Sequence, residues 1–154
     1  MTDDQRIEPL SSDLAAHTEK QREWVREHFT AETREEYNTI EGKLRLLDTI
    51  LSSKWIGPAE KWKLQSLGVA FGDALAQMFN LEWVSVTDEY GTDPALRYPH
   101  TTILVYPLTV ISKRIEDGEE MEVRDLFSKF CERIEHLARY GPPADDGPLK
   151  SEEN

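Results

Sequence analysis

A small set of polar residues in the middle of the chain could bind a ligand or another protein. Asp73 interrupts an otherwise apolar stretch and directly follows Gly72. A carboxylate in such a place needs a partner, because burying an unpaired charge is costly. The basic residues expected near it are Arg97, Lys113 and Arg114. These residues predict either a binding pocket or a structural ion pair that holds a helix on a sheet.

The segment DEYGTDP, at residues 88–94, supplies Asp88 and Tyr90 as further members of that candidate pocket. Its three carboxylates could suggest calcium. However, the segment is shorter than an EF-hand loop and lacks the glutamate that ends one. Asp and Gly are also typical of turns. We therefore predict no metal site here, and no pattern in the chain indicates a cofactor.

The segment EDGEEMEVRD, at residues 116–125, is strongly acidic, with six acids in ten residues. A structural explanation is that anions are favoured near the N-terminus of the helix that follows. The alternative is a surface that docks a basic protein. Trp55 and Trp62 are aromatic anchors of such an interface if they are exposed, and packing around a hinge if they are buried. The acidic candidates for docking are Glu116, Asp117, Glu119, Glu120 and Glu122.

No catalytic residues are predicted. The four histidines are scattered, and no His or Cys spacing is typical of a metal site. Cys131 lies beside the apolar stripe of the last predicted helix and lacks an adjacent basic group, so we expect an inert thiol in the core. Enzymatic activity stays open, but the sequence favours a non-enzymatic role.

Composition limits the choice of partner. The chain has 154 residues and a formal net charge of −12. Such a charge argues against nucleic acid and against an anionic membrane surface. It is compatible with a basic protein partner, although it also serves solubility. The single cysteine, the polar N-terminus and the lack of a long apolar run predict a cytoplasmic protein.

Apolar residues at helical spacing predict five helices, which position these residues. The expected ranges are about 12–29, 39–53, 59–79, 107–118 and 122–140. The first helix is clearly patterned only from Thr18, Thr39 is the expected N-cap of the second, and Pro58 is expected in the first turn of the third. Asn80 is expected to end the third helix in a left-handed conformation. Gly68 and Gly72 on one helix face predict that another backbone packs closely there.

Alternation and β-branched residues predict strands at 82–88, 95–98 and 101–106. The last of these should be central in the sheet, because both of its faces are apolar. The order of elements predicts an α+β fold with N-terminal helices, a small antiparallel sheet of about three strands and two C-terminal helices around one core. We expect a disordered N-terminus at 1–11, a single domain at 12–140 and a disordered acidic tail at 141–154.

Four strings of the chain together resemble an uncharacterised family of domains from Gram-negative bacteria, over roughly residues 40–137. They are LGVAFGDAL, LEWV, DEYGTDPALRYP and PLTVISKR. The resemblance implies a small α+β domain without an established activity. The order of elements is also distantly similar to immunity proteins of bacterial toxin systems, which neutralise toxins by binding them.

We therefore expect a protein–protein interaction module, such as a cytoplasmic immunity protein that neutralises a basic toxin or effector. The alternative is a small-molecule-binding or enzymatic domain. Its pocket would be formed by Asp73, Arg97, Lys113 and Arg114. The sequence indicates no particular oligomeric state.

Overall fold

The fold is organised around one long helix, α3, at Lys61–Phe79. The computed structural model describes residues 5–54 and 56–141. The other elements, in chain order, are β1 Arg6–Pro9, α1 Ser12–Arg26, a 3₁₀ helix at Arg34–Asn38, α2 Ile40–Ser53, β2 Glu82–Asp88, β3 Gly91–Arg97, β4 Leu104–Val105, α4 Leu108–Glu116 and α5 Val123–Tyr140. Within the described residues, four antiparallel strands form one sheet in the order β1-β2-β3-β4. The α+β prediction is confirmed, with one strand more than expected.

Helix α3 is buried because apolar or small residues occupy most of its circumference. Leu64, Leu67, Phe71 and Leu75 are fully buried, and α1, α2, α4 and α5 all contact the helix. The Phe71 ring meets Phe127 and Phe130 of α5 edge to face, with centroid separations of 5.9 and 5.7 Å. Such aromatic pairs contribute about 0.5–1.5 kcal/mol each beyond the area that they bury.

The two glycines of α3 lie where the helix is approached most closely. A Cβ atom on Gly68 would lie 2.6 Å from the carbonyl oxygens of Pro107 and Leu108, at the start of α4. A Cβ atom on Gly72 would lie 2.7 Å from the Pro107 ring and 2.9 Å from the Trp83 ring. The predicted close backbone approach is confirmed at Gly68, whereas Gly72 makes room for two side chains.

Local signals place most helix ends correctly. Thr39 caps α2 by accepting a hydrogen bond from Gly42 N, and Asn80 ends α3 in the left-handed conformation, with φ 57°. Two predictions were wrong. Helix α1 ends at Arg26 rather than near residue 29, although it begins at Ser12 as expected, where Ser11 Oγ accepts from Leu14 N. Helix α3 begins at Lys61, so the Pro58 prediction fails.

The prediction of a disordered N-terminus is wrong for residues 6–9. These residues form β1, an edge strand whose Ile7 pairs with Val86 of β2. The connection to α1 is held by Ser11 N, which donates to Ser85 Oγ at 2.9 Å. Sequence patterning missed β1 because only Ile7 and the proline contribute apolar surface to a four-residue strand. The predictions for residues 1–4 and 142–154 lie outside the described residues.

The strand predicted at 101–106 is also wrong in length and position. Only Leu104–Val105 pairs with β3, and β4 lies at an edge of the sheet. The preceding residues form a turn in which His100 has φ 64° and Tyr98 N donates to Ile103 O. Ile103, Leu104 and Val105 are nevertheless buried, so this apolar run reports burial rather than a central place in the sheet.

Candidate functional site

The carboxylate of Asp73 is the best-connected polar group in the described part of the chain. Arg22 donates Nε to Oδ2 at 2.5 Å and Nη2 to Oδ1 at 3.0 Å. Tyr37 Oη donates to Oδ2 at 2.6 Å, and Trp83 Nε1 donates to Oδ1 at 3.0 Å. Each carboxylate oxygen therefore accepts two hydrogen bonds. We call Asp73, Arg22, Tyr37 and Trp83 the Asp73 cluster.

Electrostatics in the cluster favour a neutral phenol beside an ion pair. Burial raises the pKa of Tyr37, and the charge of Asp73 and its hydrogen bond raise it further. Burial opposes the charged form of Arg22, but the hydrogen bond and charge of Asp73 outweigh this and raise its pKa. The ring of Tyr37 also contacts two further cations, with Arg26 and Lys43 at 5.1 and 5.0 Å from its centroid.

Lys43 adds a buried ammonium group beside the Asp73 cluster. Its side chain reaches Gln77 Oε1 at 2.6 Å, and the residue is 5% exposed. Burial lowers the pKa of Lys43, while the nearby charge of Asp73 acts in the opposite direction. Lys43 thus joins α2 to α3 through an amide, next to the ion pair that joins α1 to α3.

The prediction that Arg97, Lys113 or Arg114 pairs with Asp73 is wrong. Arg97 instead pairs with Glu82, its cross-strand neighbour, with Nη2 and Nε 2.8 and 3.0 Å from Oε2. Arg114 is buried in α4 and donates to Val110 O at 2.9 Å, and Lys113 is exposed. The basic groups of the predicted pocket therefore do not converge. The structural interpretation of Asp73 fits this geometry better than the pocket interpretation.

Asp88 and Tyr90 lie in the wall of a separate open cavity of about 620 Å³. The phenol of Tyr106 also lies there, and burial, followed by the charges of Asp88 and Asp93, raises its pKa to about 12. Asp88 Oδ1 accepts a hydrogen bond from Tyr90 N at 2.8 Å, as expected of a turn aspartate. The lining combines the β2–β3 hairpin with residues of α1, α3 and α4, among them Leu14, His17, Gln65, Leu108 and Thr109.

The acidic segment forms one side of a second open groove, of about 630 Å³. Its opposite side is the C-terminal half of α2. We call this feature the acidic groove. It is lined by Asp48, Ile50, Leu51, Ser52, Lys54, Ile56, Ile115, Gly118, Glu119, Glu120, Met121, Glu122 and Val123. All five predicted docking acids, Glu116, Asp117, Glu119, Glu120 and Glu122, are exposed, and three of them line the groove.

Trp62 combines the two roles that the sequence left open. It is 40% exposed, and its ring packs edge to face on Trp24 at 6.1 Å. Trp24 in turn packs on His28 at 4.6 Å. Trp62 does not line the acidic groove, so it is not an anchor inside that groove. Trp55 lies outside the described residues.

Sequence analysis missed Arg22, Tyr37 and Lys43. The signal for Arg22 was its place beside Thr18, Gln21 and Val25, which together form the buried face of α1. Tyr37 lies in the segment between the first two predicted helices, for which the sequence predicted no element. Its burial depends on tertiary contacts that no local period reveals.

The described residues were predicted to hold neither a metal nor a reactive thiol, and two observations concern these points. Across residues 5–54 and 56–141, no group of three His, Cys, Asp or Glu residues could hold a metal ion. Burial raises the pKa of Cys131 to about 11, with smaller effects from Glu135 and Glu132, which favours the unreactive thiol. None of the helices in the described ranges has both the length and the apolar character needed to cross a membrane.

The fold defines a class: an α+β domain in which a central helix shares one core with a sheet of four antiparallel strands. Residues 43–127 match the family described as Domain of unknown function (DUF3806). Because this match covers more than half of the chain, the chain belongs to that family.

A solved structure shares the fold. The chain is similar to a protein from Bacteroides thetaiotaomicron VPI-5482, with a TM-score of 0.68 and 14% sequence identity. The similarity covers 86% of this chain and 49% of that protein, so the chain spans about half of its length. At this identity the likeness concerns the fold alone. No curated protein matches the chain.

Proposed function

We propose that this domain acts by binding a basic protein through its acidic groove. The observation that carries the proposal is the combination of exposed carboxylates and apolar side chains on one surface. Glu119, Glu120 and Glu122 lie beside Met121, which packs partly against the core. Interfaces of this kind use apolar anchors for affinity and charged rims for orientation and association rate.

The hydrogen bonds of Asp73 argue against a binding role for this buried carboxylate, and they therefore favour a function at the surface. Asp73 is the group most suited to chemistry, yet all of its strong acceptor positions are occupied by side chains of the same domain. In contrast, Asp117, Glu119, Glu120 and Glu122 form no ion pair within the part of the chain that the structure describes. Carboxylates that are not held in close ion pairs are available to steer a basic protein.

The most concrete form of the proposal is neutralisation of a basic toxin or effector in the cytoplasm. An immunity protein needs an accessible surface that complements its toxin, and it needs no catalytic residues. The net charge of −12 and the exposed acidic segment fit such a partner. Protection then follows from tight binding that blocks the toxin.

A second candidate is the binding of a small molecule in the cavity beside the β2–β3 hairpin. Its volume of about 620 Å³ lies within the range of about 300–1,000 Å³ typical of ligand pockets. Tyr106 and the carboxylates of Asp88 and Asp93 are its main polar features. This candidate replaces the pocket predicted around Asp73, whose proposed members are dispersed.

The test is affinity purification of three forms of the tagged protein from its native host. The forms are wild type, a groove variant and a control variant with the same change in net charge. The groove variant carries Glu119→Lys, Glu120→Lys and Glu122→Lys. The control carries Glu27→Lys, Glu32→Lys and Glu35→Lys, which are exposed residues that precede α2 in the chain and do not line the groove.

The expected result is one basic protein in stoichiometric amount with wild type and with the control, but not with the groove variant. Purified components should reproduce the complex, and co-expression should relieve any growth inhibition by the partner. Loss of the partner from both variants, or retention by both, would contradict docking at the groove. Absence of any stoichiometric partner would favour the cavity beside the hairpin, with binding of metabolites to Asp88→Ala as the next comparison.

A further inference from the structure

The acidic groove has an apolar floor of partly exposed side chains. Leu51, Ile56, Ile115 and Met121 are each only partly buried, although each packs against the core. Their exposed portions face one open space of about 630 Å³ together with buried Ile50 and Val123. A partner that buries this apolar surface gains roughly 25 cal/mol for each Å² removed from water.

The electrostatics of the same groove favour cations. Four carboxylates, those of Asp48, Glu119, Glu120 and Glu122, line it, against the single ammonium group of Lys54. Helix α2 also ends there, and its last turn contains no basic residue. The negative end of the helix dipole therefore adds to the charge of the carboxylates. Among these four carboxylates, within the described residues, Asp48 forms an ion pair with Arg124 at 3.5 Å, and Arg124 also attracts Glu122 at longer range.

The walls of the groove indicate how a partner chain would bind. They consist of the end of one helix and a loop between two others, rather than a strand with unpaired backbone groups. Strand addition needs such an edge, whereas a helix binds through its side chains alone. An apolar stripe flanked by cations on a helix matches an apolar floor flanked by carboxylates.

We propose that the acidic groove binds an amphipathic, lysine- or arginine-rich helix of the partner. Apolar residues at positions i, i+3 or i+4, and i+7 would contact Met121, Ile115 and Leu51. Basic residues on either side would pair with Glu119, Glu120 and Glu122. This inference rests on the proposed docking function and specifies the partner segment that the groove recognises.

The test uses a fluorescently labelled peptide of about 18 leucine and lysine residues, with the leucines on one helical face. A second peptide has the same composition in an order that spreads the leucines around the helix. Wild-type protein should bind the ordered peptide at least tenfold more tightly than the scrambled one, in fluorescence anisotropy titrations at about 0.1 M salt. Equal affinities would overturn the inference, since charge alone would then explain binding.

Two variants distinguish the contribution of the apolar floor to peptide binding from that of the carboxylates beside it. Met121→Gln keeps the size of the side chain and should weaken binding of the ordered peptide by roughly tenfold, with little effect on binding of the scrambled peptide. Replacement of the three carboxylates by Glu119→Gln, Glu120→Gln and Glu122→Gln should weaken binding of both peptides. It should also make the affinity less dependent on salt concentration. The control variant at Glu27, Glu32 and Glu35 should keep the preference for the ordered peptide; loss of that preference would place the site elsewhere.

Failure of this inference is distinguishable from failure of the proposed function. If a natural basic partner depends on the groove but both peptides bind equally, the docking function would be kept and the inference of a helical partner segment would be rejected. A clear preference for the ordered peptide without a partner in the native host would retain the helix-binding groove but reject the proposed function.

Discussion

Replacement of Asp73 with asparagine tests whether this carboxylate is structural. The amide nitrogen cannot accept hydrogen bonds, so at least two of the four bonds to Asp73 are lost. The guanidinium of Arg22 also loses its main counter-charge, although Glu19 remains at 2.6 Å. Removing one member of a buried ion pair costs about 3–5 kcal/mol. The side chains of Arg22 and Asp73 are 16% and 13% exposed, so we expect the lower limit, about 3 kcal/mol.

Urea unfolding followed by far-ultraviolet circular dichroism measures this loss. With a slope of about 1–3 kcal/mol per M, the midpoint should fall by roughly 1–3 M while the slope stays constant. Tryptophan fluorescence gives a second signal, because Trp83 Nε1 donates directly to Asp73. Agreement of the two transitions would show that the variant still unfolds in one step.

A double variant measures the interaction between Arg22 and Asp73 directly. Arg22→Met combined with Asp73→Asn leaves neither charge without a counter-charge, so it should be less destabilised than the sum of the two single variants. A loss below about 1 kcal/mol in Asp73→Asn, or strictly additive losses, would refute the structural role. A residue kept for ligand binding would instead leave stability unchanged or raise it when replaced.

Three further predictions concern other parts of the fold. Gly68→Ala should lower stability by about 1–3 kcal/mol in thermal unfolding, because overpacking against Pro107 and Leu108 outweighs the better helix propensity of alanine. Tyr37→Phe should lower stability by about 1.5–3 kcal/mol near pH 8 through loss of a bond to a charged acceptor. Because the folded state raises the pKa of Tyr37 above 10.0, this contribution is fully present below pH 10 and declines at higher pH, so urea midpoints of the two proteins should converge toward pH 11. Cys131 should react with iodoacetamide at pH 8 roughly a hundredfold more slowly in the folded chain than in urea, since its pKa rises from 9.0 to about 11.

Each of these predictions has a matched comparison. Met78→Ala, on an exposed part of α3, should change stability by less than about 1 kcal/mol; a similar loss there would remove the packing argument for Gly68. A constant difference between wild type and Tyr37→Phe from pH 8 to pH 11 would contradict a raised pKa for Tyr37. Equal alkylation rates in folded and unfolded chains would show that Cys131 is accessible and ionised as in a free thiol.

Features set by local chemistry were predictable from the sequence. Strand β2, the Thr39 cap and the left-handed Asn80 each follow from a few neighbouring residues. Gly68 and Gly72 also indicated close packing, because glycine in a helix interior destabilises the helix relative to alanine and is expected where no side chain fits. In these cases the signal and the structure lie within the same short segment.

Features set by distant contacts were not predictable. The partner of Asp73 is 51 residues earlier in the chain, and Arg22 carries the same charge as its exposed neighbour Lys20. Gly42 was overlooked because a Cβ there would meet the backbone of Glu36, which belongs to the 3₁₀ helix and has no clear apolar period around it. The predicted central position of the last strand failed for the same reason, since β4 is buried yet pairs with one strand within the described residues.

The Asp73 cluster also bears on how much of the chain is needed to fold. Its donors come from α1, the 3₁₀ helix and β2, while the family match begins only at residue 43. A chain cut to residues 43–127 would keep Trp83 but lose both Arg22 and Tyr37. The carboxylate would then lie in α3 with one of its three donor side chains, at a cost of several kcal/mol. We therefore expect the cooperative folding unit to be larger than the segment that matches the family, and to extend back through α1.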